Sequence, residues 1–302
     1  MTAHTPAIRY EDDWPRLFDY DQSQPPDIHE AGVEHRDGVS IRDITFAGPL
    51  RPAIQAYLAA PGGAGPFAGI LFGHWFEPRA PSCNRTQFVD EAVALARSGV
   101  VSLLVDMLFP WRASPSANDA GYDRNLVVQQ IVELRRALDV LVAHAGVDPQ
   151  RLAFVGHDFS GMYGSLLAAV DPRPRAYVLM AGTPRFADWF LKYWPSYLDG
   201  EQREAYLSSM AAVDPIRFAG RAAPAALFFQ FARRDVYVPE AVALEYFAAA
   251  SEPKRLEWYD AEHDMNEAAR RDRVEWLGGQ LGLGPSPIAS TRSAGSPRPE
   301  SD

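Results

Sequence analysis

The sequence predicts an α/β fold with a mostly parallel central sheet, helices on both faces and a small helical insertion. Two observations carry this. Apolar runs of buried-strand length, at 67–72, 100–105, 152–155, 175–180 and 225–231, alternate with longer stretches of helical spacing. That is the pattern of strand–helix–strand units whose strands are covered on both sides. In addition, residues capable of chemistry (His74, Asp106, Asp158, Asp235 and His263) each follow the end of a predicted strand. In an open parallel sheet those ends line the edge where ligands bind, so these side chains are expected to converge.

Residues 1–35 carry Trp14, Phe18, Tyr20 and the Pro25-Pro26 pair without sustained periodicity, and read as an irregular arm whose aromatics pack on the body. Stretches 39–46 and 53–58 alternate as strands do and predict an antiparallel entry to the sheet. Pro61-Gly62-Gly63-Ala64-Gly65-Pro66 is a turn. Phe88, Val89, Ala92, Leu95 and Ala96 have helical spacing over 86–97, closed by Ser98-Gly99. Stretch 108–122 reads as loop. Val127, Ile131, Leu134, Leu138 and Leu141 form one face of a long helix over 126–145. A tight small-residue turn follows the strand at 152–155, and a helix begins near Ser160. Phe186, Trp189, Phe190, Tyr193, Trp194, Tyr197 and Tyr206 fall in 184–220, where the alternation breaks, and predict a small helical cap. A helix over 240–250, a strand over 256–259 and a last helix over 267–281 complete one domain spanning 36–283. The Pro/Ser/Arg-rich tail, 284–302, is expected to be disordered.

Composition excludes several functions. The formal charge of −10 over 302 residues disfavours nucleic acid and anionic membranes, which reward basic patches. A single cysteine, Cys83, permits no intrachain disulfide and is expected to be inert. No run has the length of a transmembrane helix, and the first residues lack the apolar core of a secretion signal. The expectation is a soluble, acidic, cytoplasmic enzyme. An exposed apolar edge would suit a homodimer.

Over residues 38–282 the chain resembles the α/β-hydrolase superfamily. Gly156-His157-Asp158-Phe159-Ser160 fits the small-x-nucleophile-x-small elbow of that superfamily, with Asp158 at the nucleophile position, and Asp235 and His263 follow in the order acid, then histidine. The flanks, Leu152-Ala153-Phe154-Val155-Gly156-His157 and Asp235-Val236-Tyr237-Val238-Pro239, are similar to dienelactone-hydrolase-like members. The elbow itself resembles epoxide hydrolases and haloalkane dehalogenases, which place aspartate there. Two positions depart from these patterns: Trp75 replaces a small residue after His74, and Phe159 stands where aspartate elbows often carry tryptophan. The resemblance implies a triad of Asp158, His263 and Asp235, an anion hole built near Phe159 and Trp75 or Phe76, and no cofactor or metal.

The elbow residue directs the chemistry. A carboxylate attacking an ester carbonyl would give an anhydride, which is high in energy. Attack on an sp³ carbon bearing a leaving group gives an alkyl ester, stable enough to be an intermediate. Asp158 therefore favours small, largely apolar alkylating substrates. Opening an epoxide or related strained ring is preferred, with Tyr193, Tyr197 or Tyr206 as proton donor. A halide would need N–H donors, and Phe159 has none in its side chain. Three other readings remain: haloalkane dehalogenation, ester or lactone hydrolysis of the dienelactone type, and a non-catalytic ligand-binding protein on the same scaffold. Ser160 as nucleophile in a shifted register is disfavoured. His74 is expected to order its own loop, Asp106 to brace loops, Asp264 to begin the last helix, and His157 to point away from the site. Most cap aromatics are expected to be packing.

Overall fold

The computed structural model describes residues 14–77, 84–109, 120–193 and 198–284. Within them, nine strands form one sheet: β1 (His29–Arg36), β2 (Val39–Phe46), β3 (Ile54–Pro61), β4 (Phe67–Gly73), β5 (Val100–Val105), β6 (Val147–His157), β7 (Pro174–Met180), β8 (Ala226–Ala232) and β9 (Lys254–Tyr259). Their order is β1-β2-β3-β5-β4-β6-β7-β8-β9. The first three strands enter antiparallel, as far as the β3–β5 pair, and every pair from β5 to β9 is parallel. Strands β4, β5 and β8 are buried at every residue. That is why they appear in the sequence as unbroken apolar runs rather than as alternation.

The helices are α1 (Val89–Ala96), α2 (Ala120–Ala143), α3 (Phe159–Val170), α4 (Phe186–Tyr193), α5 (Gly200–Ala211), α6 (Pro215–Ala219), α7 (Glu240–Ala249) and α8 (Glu267–Leu281). A short 3₁₀ turn, Trp14–Phe18, lies against α2. Helices α4, α5 and α6 fill the interval between β7 and β8 where the aromatics predict an insertion. Tyr206 of α5 is fully buried and donates to Asp123 of α2 at 2.7 Å, so this interval is pinned to the body.

Three expectations change. The 1–35 stretch contains a regular strand, β1, paired antiparallel to β2. It is an edge strand exposed at nearly every position, so no buried face imposes an alternating pattern. Helix α2 begins at Ala120, inside the stretch read as loop; residues 110–119 lie outside the described residues. Asp264 does not begin the last helix. Asn266 caps it, its side chain accepting from the Ala269 N–H at 3.0 Å. The expected tail (apart from Gly284) and Cys83 lie outside the described residues. Among those described, no helix is long and apolar enough to cross a membrane.

Helices α1 and α8 are joined by a buried ion pair. Arg273 Nε donates to both Glu91 carboxylate oxygens, at 2.9 and 3.1 Å, and its Nη2 bonds the same group. Removing Arg273 leaves the buried Glu91 carboxylate with only the more distant Arg270 Nε, at 3.9 Å, to offset its charge. Arg273→Met is expected to lower unfolding stability in urea by about 3–5 kcal/mol, and the double change Glu91→Leu with Arg273→Met by much less. Equal losses in the single and double variants would show that the pair contributes little beyond packing.

Candidate active site

The site is built on the turn between β6 and α3. Gly156 must be small because a Cβ there would lie 2.3 Å from the Ser160 carbonyl oxygen. Ser160 must be small too: a Cβ on Gly73 would come within 2.7 Å of its own. Ser160 is fully buried, and its hydroxyl donates to the His74 carbonyl at 2.5 Å, which disposes of it as a nucleophile. Between these two residues the chain reverses through Asp158, at φ 60° and ψ −121°. That is a sparsely populated conformation for a residue with a side chain, costing on the order of 1–3 kcal/mol. It places the carboxylate at the carboxyl edge of the sheet, buried to 3 % exposure.

Backbone donors meet that carboxylate. The Phe76 N–H donates to Asp158 Oδ2 at 3.1 Å, and the Phe159 N–H supplies a second hydrogen bond. Asp158 Oδ1 is buried and has no hydrogen-bond partner among the described residues. Burial pushes the Asp158 carboxyl up from 3.8 to about 6, against the opposing pull of His263 and of the two N–H groups.

His263 follows β9, and its Nδ1 lies 2.8 Å from Asp235 Oδ2. Asp235 is fixed in turn by the N–H groups of Tyr237 and Val238, which donate to its other oxygen at 2.8 and 3.2 Å. Burial lowers the pKa of His263, but the Asp235 hydrogen bond and the charges of Asp158 and Asp235 outweigh it, leaving the group raised. Aromatic rings enclose the site. Trp75 stacks on His263 with centroids 6.0 Å apart, and Trp189 and Tyr237 meet the imidazole edge-on at 5.8 and 5.0 Å. The Phe159 ring sits among Phe76, Phe109, Phe186, Trp189 and Phe190. A cleft of about 420 Å³ opens beside Tyr237, with Ala187, Leu191, Leu207 and Val242 among its walls.

Some expected residues are placed differently. The Trp75 N–H is directed to Gln87 Oε1 at 2.9 Å, so Phe76, not Trp75, supplies the donor to the elbow carboxylate. Tyr206 has its hydroxyl committed to Asp123 and is no longer a proton donor for a leaving group. Tyr197 lies outside the described residues, as does the side chain of Tyr193. Tyr237, quoted in the sequence only as part of the acid segment, is the tyrosine whose ring meets that of His263. His157 does not point away from the site. It is fully buried and packs against both Trp75 and His263. His74 bonds once within its own loop, Nδ1–H donating to the Trp75 carbonyl at 2.7 Å, and once to the loop after β5, Nε2 accepting the Met107 N–H at 3.1 Å. Asp106 lies 3.6 Å from Arg51. Among the described residues, no cluster of three or more His, Cys, Asp or Glu could hold a metal ion.

No family model and no curated protein matches the sequence. Solved structures do match the fold. An acetyl xylan esterase from Paenibacillus sp. R4 superposes with a TM-score of 0.70 at 18 % identity, covering 91 % of this chain and 96 % of that one. Acetyl xylan esterase 1 from Thermoanaerobacterium sp. JW/SL YS485 gives 0.69 at 14 % identity, covering 90 % and 93 %. The alpha/beta hydrolase GrgF from Penicillium sp. sh18 gives 0.56 at 15 % identity, covering 86 % and 100 %. The chain has the α/β-hydrolase fold. Function must be argued from the site, because one fold serves many chemistries.

The buried carboxylate makes a stability prediction. The folded-state pKa of Asp158 lies above its unfolded value, so ionising the group costs the folded protein stability. That cost is absent where both states are protonated and complete once both are ionised, and the gap corresponds to roughly 3 kcal/mol. Asp158→Asn, which keeps an acceptor for the N–H groups and suits positive φ, is expected to be more stable than the parent by roughly 3 kcal/mol at about pH 8 and by only about 0.5 kcal/mol at about pH 4. Urea unfolding at the two pH values checks this; a gain independent of pH would contradict it.

Proposed function

We propose that this protein is a hydrolase that uses Asp158 as a covalent nucleophile toward an alkylating carbon, with an epoxide or related strained ring as its substrate. The observation that carries the reading is the division of labour within one carboxylate. Oδ2 is bonded by backbone N–H, and Oδ1 is buried with no partner.

On this reading Oδ1 attacks a ring carbon, the carbon–oxygen bond breaks, and an alkyl ester forms at Asp158. The departing alkoxide takes a proton, for which the Tyr237 phenol beside His263 is suited. His263, oriented through Nδ1 by Asp235, then removes a proton from water, which attacks the ester carbonyl. The oxyanion of that tetrahedral intermediate develops on Oδ2, where the Phe76 N–H already stands. Collapse breaks the Cγ–Oδ1 bond, the departing oxygen takes the proton held by His263, and the proton of the new carboxyl returns to the Tyr237 phenolate, so the diol leaves and Asp158 keeps one oxygen from water. The aromatic enclosure favours a largely apolar substrate.

The fold neighbours named as esterases raise ester hydrolysis as an alternative. Two facts weigh against transferring it. Attack by Asp158 on an ester carbonyl would produce an anhydride. The position where an ester's carbonyl oxygen would be polarised is taken by Asp158's own Oδ2. Dehalogenation draws support from one observation: the Trp75 indole nitrogen is buried and meets no acceptor among the described residues, so an N–H is present for a leaving halide.

Replacing the base separates these readings. His263→Gln, incubated with styrene oxide, is expected to accumulate an ester whose mass is added to the peptide carrying Asp158. The same experiment with an alkyl bromide tests the halide reading. No adduct with either reagent would favour the ligand-binding reading.

The phenol can be tested separately. Tyr237→Phe should slow ring opening by on the order of 10²-fold while leaving hydrolysis of a preformed adduct nearly unchanged. An unchanged single-turnover opening rate would remove Tyr237 from the mechanism.

A further inference from the structure

A continuous hydrogen-bond path runs behind the site. The Trp75 N–H donates to Gln87 Oε1 at 2.9 Å, Gln87 Nε2 lies 2.6 Å from His157 Nδ1, and His157 Nε2 lies 2.8 Å from the His263 carbonyl oxygen. Each direction follows from valence. A carbonyl can only accept, so His157 Nε2 carries a proton. The Gln87 amide nitrogen can only donate, so His157 Nδ1 accepts. Gln87 Oε1 then accepts from Trp75. His157 is therefore neutral, in agreement with its complete burial, which holds it well below the ordinary histidine range. No group in the path has a choice of roles.

The path joins the carboxyl ends of three different strands, β4, β6 and β9. Trp75 precedes Phe76, the donor to Asp158. His157 precedes Asp158 itself. The His263 carbonyl belongs to the residue that carries the imidazole. The rings of Trp75, His157 and His263 also lie face to face, with centroid separations of 5.2, 5.2 and 6.0 Å. Gln87 lies just ahead of α1 and takes no part in the chemistry described above.

We propose that Gln87 and His157 are positioning residues that hold the His263 imidazole in register with the Phe76 anion-hole loop, so that water activation and oxyanion stabilisation act on the same ester. The proposal rests on the reading of His263 as the base of the Asp158 site. It predicts that the path governs the second, hydrolytic half of the reaction and not the first. Attack by Asp158 Oδ1 needs no action of His263 on water.

The test uses the full chain with His157→Phe, which keeps a ring but loses both hydrogen bonds, and His157→Gln, which keeps an N–H for the His263 carbonyl. The first readout needs no substrate. In proton NMR the His263 Nδ1–H shared with Asp235 should give a downfield resonance that is shifted or broadened in His157→Phe and retained in His157→Gln. The second readout follows the styrene oxide adduct by mass. Its formation should change by less than about threefold, and its decay should slow by on the order of 10²-fold in His157→Phe, with at least tenfold recovery in His157→Gln. If His157→Phe does not fold, Gln87→Leu, which breaks the path at a partly buried residue, is expected to move both readouts in the same direction. An unmoved resonance together with unmoved decay in a folded variant overturns the proposal. So does equal loss of both half-reactions in His157→Phe and His157→Gln, because that is the signature of packing alone. If His263→Gln traps no adduct, the covalent reading fails, and the NMR comparison still decides whether the path positions His263.

Discussion

The hydrogen bond from the Phe76 N–H to the Asp158 carboxylate is the interaction on which the site depends. It joins the loop after β4 to the turn after β6, and so requires adjacent parallel strands with matched ends. The pairing of Gly73 with Gly156 provides that match. It also requires a backbone that turns sharply enough to present Asp158, which the small residues at 156 and 160 permit. A carboxylate buried this deeply is unfavourable unless hydrogen-bonded. The donors are backbone groups, which cannot rotate away, so the compensation is permanent rather than dependent on a side-chain rotamer.

The same arrangement limits what the site can do. In an elbow with a neutral hydroxyl, backbone N–H groups would be available to a substrate oxygen. Here they are engaged by the elbow residue itself. On the proposed reading, the site is preorganised for charge that develops on its own carboxylate. This is the physical reason for preferring an alkylated aspartate over an ester substrate. Around it, the Asp235–His263 bond and the path through Gln87 and His157 join loops from four strands. A buried polar network of this kind is favourable only when its members are satisfied, which ties the geometry of one loop to that of the others.

Much of the fold was legible because its signal is local. Strands β4, β5 and β8 are buried on both faces and appear as apolar runs, and the stripe of α2 from Val127 to Leu141 is visible at helical spacing. Strand β1 was not legible, since His29–Arg36 is an exposed edge with no face to pattern. For the site, the order of Asp158, Asp235 and His263 at strand ends was readable. Polar partners chosen across the fold were not. Gln87 is an unremarkable glutamine in sequence, and its meaning comes from Trp75 and His157. Tyr206 was a candidate acid until burial placed it against Asp123, 83 residues away in the chain. Choosing between Trp75 and Phe76 as donor required the direction of two successive N–H groups, which residue type does not encode.

By itself, the sequence determined the alternation of strands and helices, the small residues that permit the elbow, and the presence of a carboxylate at its centre. These follow from periodicity, residue volume and residue chemistry, all of which are local properties. Only the tertiary structure decided the state of that carboxylate: one oxygen bonded to backbone, the other buried and unpartnered, and the aromatic rings of several elements closed around it. Burial and hydrogen-bond direction are relations between distant segments. They exist only once the chain has folded those segments together.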